Sequence, residues 1–332
     1  MKSVTLDVIR GVAAMLIVLF HFTYAYNDNA ANAGEYATDW GWSVPWGYAA
    51  VATFFMLSGY LAARVLAVAG ERRKERSPKS FVWHKLKRFY PTYWIAMTLT
   101  AVVLALFFAE EAPTFVGWAA NLTMVSQLMR IPFVDGAYWY MQCELVLCLL
   151  TGALVAIRSP RRLMLTLGIW VTVAIILSQT LEIKALRVVR IVAVAQYCHN
   201  YIAGIVLYGV ACRRQVSTGA WVVLALCFAN AVVWNGLQSA PTVFFVSTVV
   251  LVAFVERLDG VLPPKNRLVR CLTWLAGISY PLYLCHEMIG FTIIRHMRTE
   301  GWSNPAMILV PIAVCILLAW GIDRVINSLT RR

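Results

Sequence analysis

The stretch "RGVAAMLIVLFHF", residues 10–22, places Arg10 and His21 at the two ends of an apolar run. Hydrocarbon penalises both side chains, so each needs a partner or a task. The eleven positions between them make about three helical turns, which puts both within roughly 20° of one helix face and about 16 Å apart along the axis. An imidazole there can act as a base. A guanidinium can grip an anion. Four more ionisable residues lie inside apolar segments: Glu144, His199, His286 and Glu287.

Each has a structural alternative. Arg10 can snorkel to an interface or pair with Asp7, three residues earlier. His21 can sit satisfied near outer headgroups. Glu144 can belong to a buried pair. His199, beside Asn200, can be glue between helices, and Glu287 can face outer water with Arg295. The basic stretch "ERRKERSPKSFVWHKLKRFYP" reads as two parts. Arg72 to Lys79 is a solvated loop. Lys85 and Arg88 share a face if a helix has begun by then, either gripping phosphates or anchoring the interface.

These residues need membrane-spanning elements to position them. Of 332 residues, 61% are hydrophobic and 14% charged. A soluble chain keeps about a quarter of its residues charged. Apolar runs of spanning length recur, and the pattern predicts about ten spans: 5–26, 46–69, 89–109, 137–157, 163–181, 190–211, 219–236, 240–257, 271–294 and 305–326. The expected fold is an all-α polytopic bundle forming a single domain over 1–332, with no separate soluble domain. With a cytoplasmic N-terminus, 23 of the 29 Lys and Arg residues fall inside and six outside, which predicts that both termini are cytoplasmic. The net charge of +13 then reflects topology and anionic lipid rather than nucleic acid. On this topology Arg10 sits near the inner boundary. His21, Glu144, His286 and Glu287 lie in outer halves of spans, and His199 near mid-span. That suits a cavity with a basic inner mouth and a titratable upper chamber. The eight cysteines form no CxxC pair and read as small apolar packing residues. The N-terminus does not have the pattern of a cleaved signal peptide.

Five segments together form a recognisable set. "LDVIRGVAAMLIVLFHF" resembles the first helix of the acyltransferase-3 family of integral membrane acyltransferases, with Arg10 and His21 in place. "FFMLSGYLAARV" resembles its second helix, with Ser58 and Gly59. "WHKLKRFYPTYW" resembles its Arg-x-x-Arg-x-x-Pro segment, with Lys85 for the first Arg and with Arg88 and Pro91 matching. "WYMQCELVLCLL" carries Trp139 and Glu144 in the family's Trp-x-x-x-x-Glu pattern. "GISYPLYLCHEMI" resembles the Ser-Tyr-x-x-Tyr-Leu-x-His stretch, with Ser279, Tyr280, Tyr283 and His286. The segment from about 160 to 270 carries little of this signal and is expected to hold acceptor specificity.

The resemblance implies transfer of an acyl group, commonly acetyl, from cytosolic acetyl-CoA to a hydroxyl of a sugar in an exopolysaccharide, O-antigen or lipid-linked glycan, without a metal. It implies His21 as base, with Glu144 orienting it or binding the acceptor. Arg10, Lys85, Arg88 and Ser58 would serve the donor. Tyr283, His286, His199 and Trp139 would bind or support substrate, and Ser58 or Tyr283 could stabilise the oxyanion. Lysine at 85 offers a point charge rather than a fork. Expected surroundings are the bacterial cytoplasmic membrane, its lipids and a glycan acceptor, with a homodimer or a polysaccharide assembly machinery both open as partners. A proton-coupled transporter or flippase is the rival reading, and a non-catalytic subunit of an assembly complex is another; no inverted repeat supports the transporter.

Overall fold

The computed structural model describes residues 3–71, 77–157, 159–212, 217–263 and 265–330. Arg72, Arg73, Lys74 and Arg76 of the basic stretch lie outside the described residues, as do Arg158, Arg213 and Arg214. The described residues form helices and turns and no strand. Eleven helices matter here: α1 Val4–Phe20, α2 Gly47–Glu71, α3 Pro78–Phe107, α4 Trp139–Leu154, α5 Pro160–Ser178, α6 Cys198–Ala211, α7 Thr218–Asn235, α8 Ala240–Ala253, α9 Arg267–Cys285, α10 Glu287–Thr299 and α11 Asn304–Thr330.

Every expected span has a helix at its place, but seven among the described residues are both long and apolar enough to cross a bilayer. Three differences have physical causes. The expected span at 190–211 shortens to α6, because the backbone turns at Val194, whose φ of 47° lies in the left-handed region. α3 begins at Pro78 rather than near residue 89. Proline suits a first helical turn, where its missing N–H costs nothing. At 30 residues α3 is about 45 Å long, more than the hydrocarbon needs, so its basic first turns extend beyond the apolar core. The expected span at 271–294 breaks at His286 into α9 and α10. Apolar side chains on the spans stay exposed, such as Ile169, Leu309 and Leu317, as lipid-facing residues do.

The chain divides into two compact units. The first holds 1–10, 48–86 and 143–270. In it α7 packs on α5, α6 and α8, and α6 also contacts α5 and α8. α2 and α6 approach at backbone distance. A Cβ on Gly59 would lie 2.0 Å from the Tyr201 carbonyl oxygen, and one on Gly204 2.0 Å from that of Met56. Such small-residue contacts let helices associate where no hydrophobic force between them exists. Gly204→Ala is therefore expected to cost about 1–3 kcal/mol through overpacking. Gly209→Ala, on the same helix with nothing within 4 Å of its Cβ, is the control and should gain up to about 1 kcal/mol. Thermal unfolding of the two purified variants checks this; equal midpoints would mean the close approach carries no weight.

The second unit holds 11–47, 87–142 and 271–332. Its core gathers Phe22, Tyr26 and Trp40 with Leu282, Phe291 and Met307, all buried. Arg295 of α10 is fully buried, donating to Asn32 Oδ1 and Glu111 Oε1 with its guanidinium over the Phe108 ring. The expectation that Glu287 shares outer water with Arg295 is thus corrected: Arg295 is spent on tying the 26–40 and 108–111 segments to α10.

Candidate active site

His21 opens a five-residue π-turn, His21–Ala25, at the end of α1. Such turns inside α-helices occur frequently at functional sites. The ring is held on three sides. Nδ1 lies 2.9 Å from the Ile17 carbonyl oxygen and 3.1 Å from Nε2 of His286. Nε2 lies 3.4 Å from Oε2 of Glu287. The two imidazoles meet edge to face, their centroids 4.6 Å apart.

The hydrogen bonds set the tautomers. His286 Nδ1 lies 2.8 Å from the Tyr283 carbonyl oxygen. A carbonyl can only accept, so that nitrogen donates, and in the neutral ring Nε2 then accepts. The group facing it is His21 Nδ1, which therefore donates, shared with the Ile17 carbonyl. The lone pair of His21 is left on Nε2, on the Glu287 side. At 3.4 Å neither group donates to the other in this tautomer, so Nε2 keeps its lone pair and Glu287 stands beside it as a partner for the imidazolium. Among the described residues, no hydrogen bond reaches Glu287 Oε2. That edge is the one open to a proton.

The support comes from the Asp135–Tyr138 turn. Asp135, buried to 1% exposure, accepts from the Ala137 N–H at 2.9 Å and from the Met288 N–H at 3.0 Å. It thus satisfies an N-terminal donor of α10 from far along the chain, and its negative end suits a helix start. Its carboxyl is also within hydrogen-bonding reach of Glu287. Tyr283 donates its hydroxyl to the Ala137 carbonyl, and Tyr138 donates to the Leu284 carbonyl. This reciprocal pair fixes the α9–α10 junction and with it His286 and Glu287.

A second polar cluster lies within the first unit. Glu144 Oε2 accepts from Ser58 Oγ at 2.9 Å and from Lys85 Nζ at 3.1 Å. Glu144 is 3% exposed. One residue each from α2, α3 and α4 meets here, joining the three helices through a buried ion pair. Within the second unit the carboxyl beside His21 is Glu287. Within the first, Glu144 takes the Ser58 hydroxyl and the Lys85 ammonium.

The remaining expected site residues are placed as follows. Arg10 Nη1 pairs with Asp7 Oδ1 at 3.1 Å, both side chains about a quarter exposed. Arg88 is exposed on α3. Trp139 is half-buried beside Tyr140. His199 is buried between the amides of Asn200 and Asn230. Sequence reasoning missed Asp135, which sits in a loop with no depth signal. It also misplaced Glu287: adjacent residues on one helix point about 100° apart, and only the break at His286 lets both address His21.

A polytopic helical membrane protein with a buried histidine–carboxyl centre is the class that this fold and site define. A family model described as an acyltransferase domain matches residues 4–324. The chain belongs to the acyltransferase-3 family and is a membrane acyltransferase. No curated protein and no solved structure matches it.

Proposed function

We propose that the protein transfers an acyl group, acetyl by family habit, from acyl-CoA to a sugar hydroxyl, with His21 as the general base. The observation that carries this is the lone pair on His21 Nε2, fixed by the His286–Tyr283 carbonyl chain and backed by Glu287. In the proposed step His21 Nε2 takes the hydroxyl proton as the oxygen attacks the thioester carbonyl. A C–O bond forms, the C–S bond breaks, and the imidazolium returns the proton to the leaving sulfur. Glu287 stabilises the imidazolium between the two transfers. Arg10 and Arg88 are the cations proposed for the donor phosphates, with Arg10 exchanging Asp7 for phosphate. The acceptor is proposed to be a surface or lipid-linked glycan in a bacterial cytoplasmic membrane, with both termini on the cytosolic side.

The test is release of free CoA from acetyl-CoA by purified protein in lipid nanodiscs, with and without a glycan acceptor. Acceptor-dependent release supports the reading; a protein that consumes no acyl-CoA with any glycan overturns it. Glu287→Gln keeps the shape and removes the charge. It is expected to lower kcat on the order of 10²-fold while KM for acyl-CoA stays within about twofold, since the donor phosphates are assigned elsewhere. Unchanged kcat would remove Glu287 from the mechanism.

A further inference from the structure

We propose that a cavity of about 310 Å³ at the start of α6 is a binding site for a single neutral sugar ring. It is lined by Tyr48 of α2, Gln196, Tyr197, His199 and Asn200 at the start of α6, and Asn235 at the end of α7. All of these belong to the first unit. The lining contains no Lys, Arg, Asp or Glu, so nothing there recognises a phosphate or carboxylate. Amides and tyrosine rings are what remain, and they suit a ligand with hydroxyls on its edge and an apolar face.

The hydrogen bonds around His199 supply an independent reason. Asn230 Nδ2 donates to the Ala195 carbonyl at 3.2 Å and lies 3.0 Å from His199 Nδ1. The carbonyl fixes this amide, so Nδ1 accepts and His199 Nε2 carries the hydrogen. Among the described residues the hydrogen-bonding group at Nε2 is the Asn200 amide, at 2.9 Å. It must present its oxygen to the ring N–H, because two donors cannot share one bond. The Asn200 NH2 group then turns away from the ring, on a residue 1% exposed that lines the cavity. A sugar hydroxyl or ring oxygen in the cavity would accept from it. Tyr197 is held flat by stacking on Phe55, 5.4 Å between centroids. Tyr48 is 55% exposed and forms an open wall on which a ring can lie. The ligand volume also decides between substrates: the cavity sits at the small end of the ~300–1,000 Å³ range of ligand sites and admits one ring, not a coenzyme. On the orientation implied by the Lys and Arg bias, these are the extracytoplasmic ends of α2, α6, α7 and α8. The naming of the occupant as the acyl acceptor rests on the proposed function; the existence of the site does not.

The experiment is saturation-transfer NMR on the protein in lipid nanodiscs, free of glycosidic detergent, with methyl glycosides of glucose, galactose, mannose and rhamnose at millimolar concentration. Transfer to at least one glycoside is expected, reduced at least about fivefold in Asn200→Ala and in Tyr48→Ala. Acetyl-CoA should not displace it. Tyr48→Ala, at an exposed position, keeps the test open if Asn200→Ala fails to fold. Absence of transfer for all four glycosides, or equal transfer in wild type and Tyr48→Ala, overturns the proposal. Binding retained in His21→Ala is expected. Binding without any CoA release would leave this site standing and remove the acyl-transfer reading.

Discussion

Replacement of His21 by alanine is expected to lower acceptor-dependent CoA release by about 10³-fold or more, within the range that a positioned base supplies. The substitution removes the only group whose lone pair the surrounding bonds aim at the Glu287 side of the centre. His286 keeps its Nδ1 on the Tyr283 carbonyl and turns its Nε2 lone pair to the vacated position of His21, so the residual rate is expected to come from it. The lost contacts are a carbonyl interaction, one imidazole edge and a carboxyl. Two of them join the end of α1 to the α9–α10 junction, but the buried apolar core around Phe22 and Phe291 stays in place, so the variant should insert and elute as wild type. Rate is measured by thiol release, and integrity by size exclusion and thermal unfolding. Wild-type turnover in a folded variant would end the assignment of the base. Loss of turnover together with loss of the folded peak would make the residue structural.

Lys85→Met is expected to destabilise the protein by about 3–5 kcal/mol, the cost of leaving a buried carboxylate without its ion partner. Glu144 is 3% exposed and Lys85 18%, so water reaches little of the pair. Ser58 would still hold Oε2. The double variant Lys85→Met with Glu144→Gln should recover most of the loss, since an amide in the same place needs hydrogen bonds but no counter-charge. Lys85→Arg keeps the charge and should stay near wild type in stability. A double-mutant cycle on unfolding midpoints isolates the coupling. If Lys85→Met unfolds at the wild-type temperature, the pair does not hold α2, α3 and α4 together. If the double variant is no better than the single, the loss comes from the lysine stem and not from the orphaned acid.

The helical bundle and the places of its helices were legible in the sequence. Length and apolarity of a run are local properties, fixed by a rise of about 1.5 Å per residue against a hydrocarbon core of about 30 Å. The five motifs carried the family for the same reason: each is a short string whose residues share one helix. The partners were a different matter. The sequence put His21, Glu144, His286 and Glu287 at one level without saying which of them meet. The structure places Glu287 at His21 and holds Glu144 by Ser58 and Lys85.

What sets Glu287 beside His21 is a helix break that no local pattern announces. Asp135 accepts the Met288 N–H, and Tyr283 and Tyr138 lock the junction from both sides. A run that looks continuous over 271–294 thereby ends and restarts at His286. The sequence by itself determined that this is a polytopic acyltransferase with a histidine in its first helix. Only the tertiary structure decided which carboxyl stands beside that histidine, because side-chain pairing depends on where helices stop and which way they turn, and those are settled by bonds between residues some 150 positions apart.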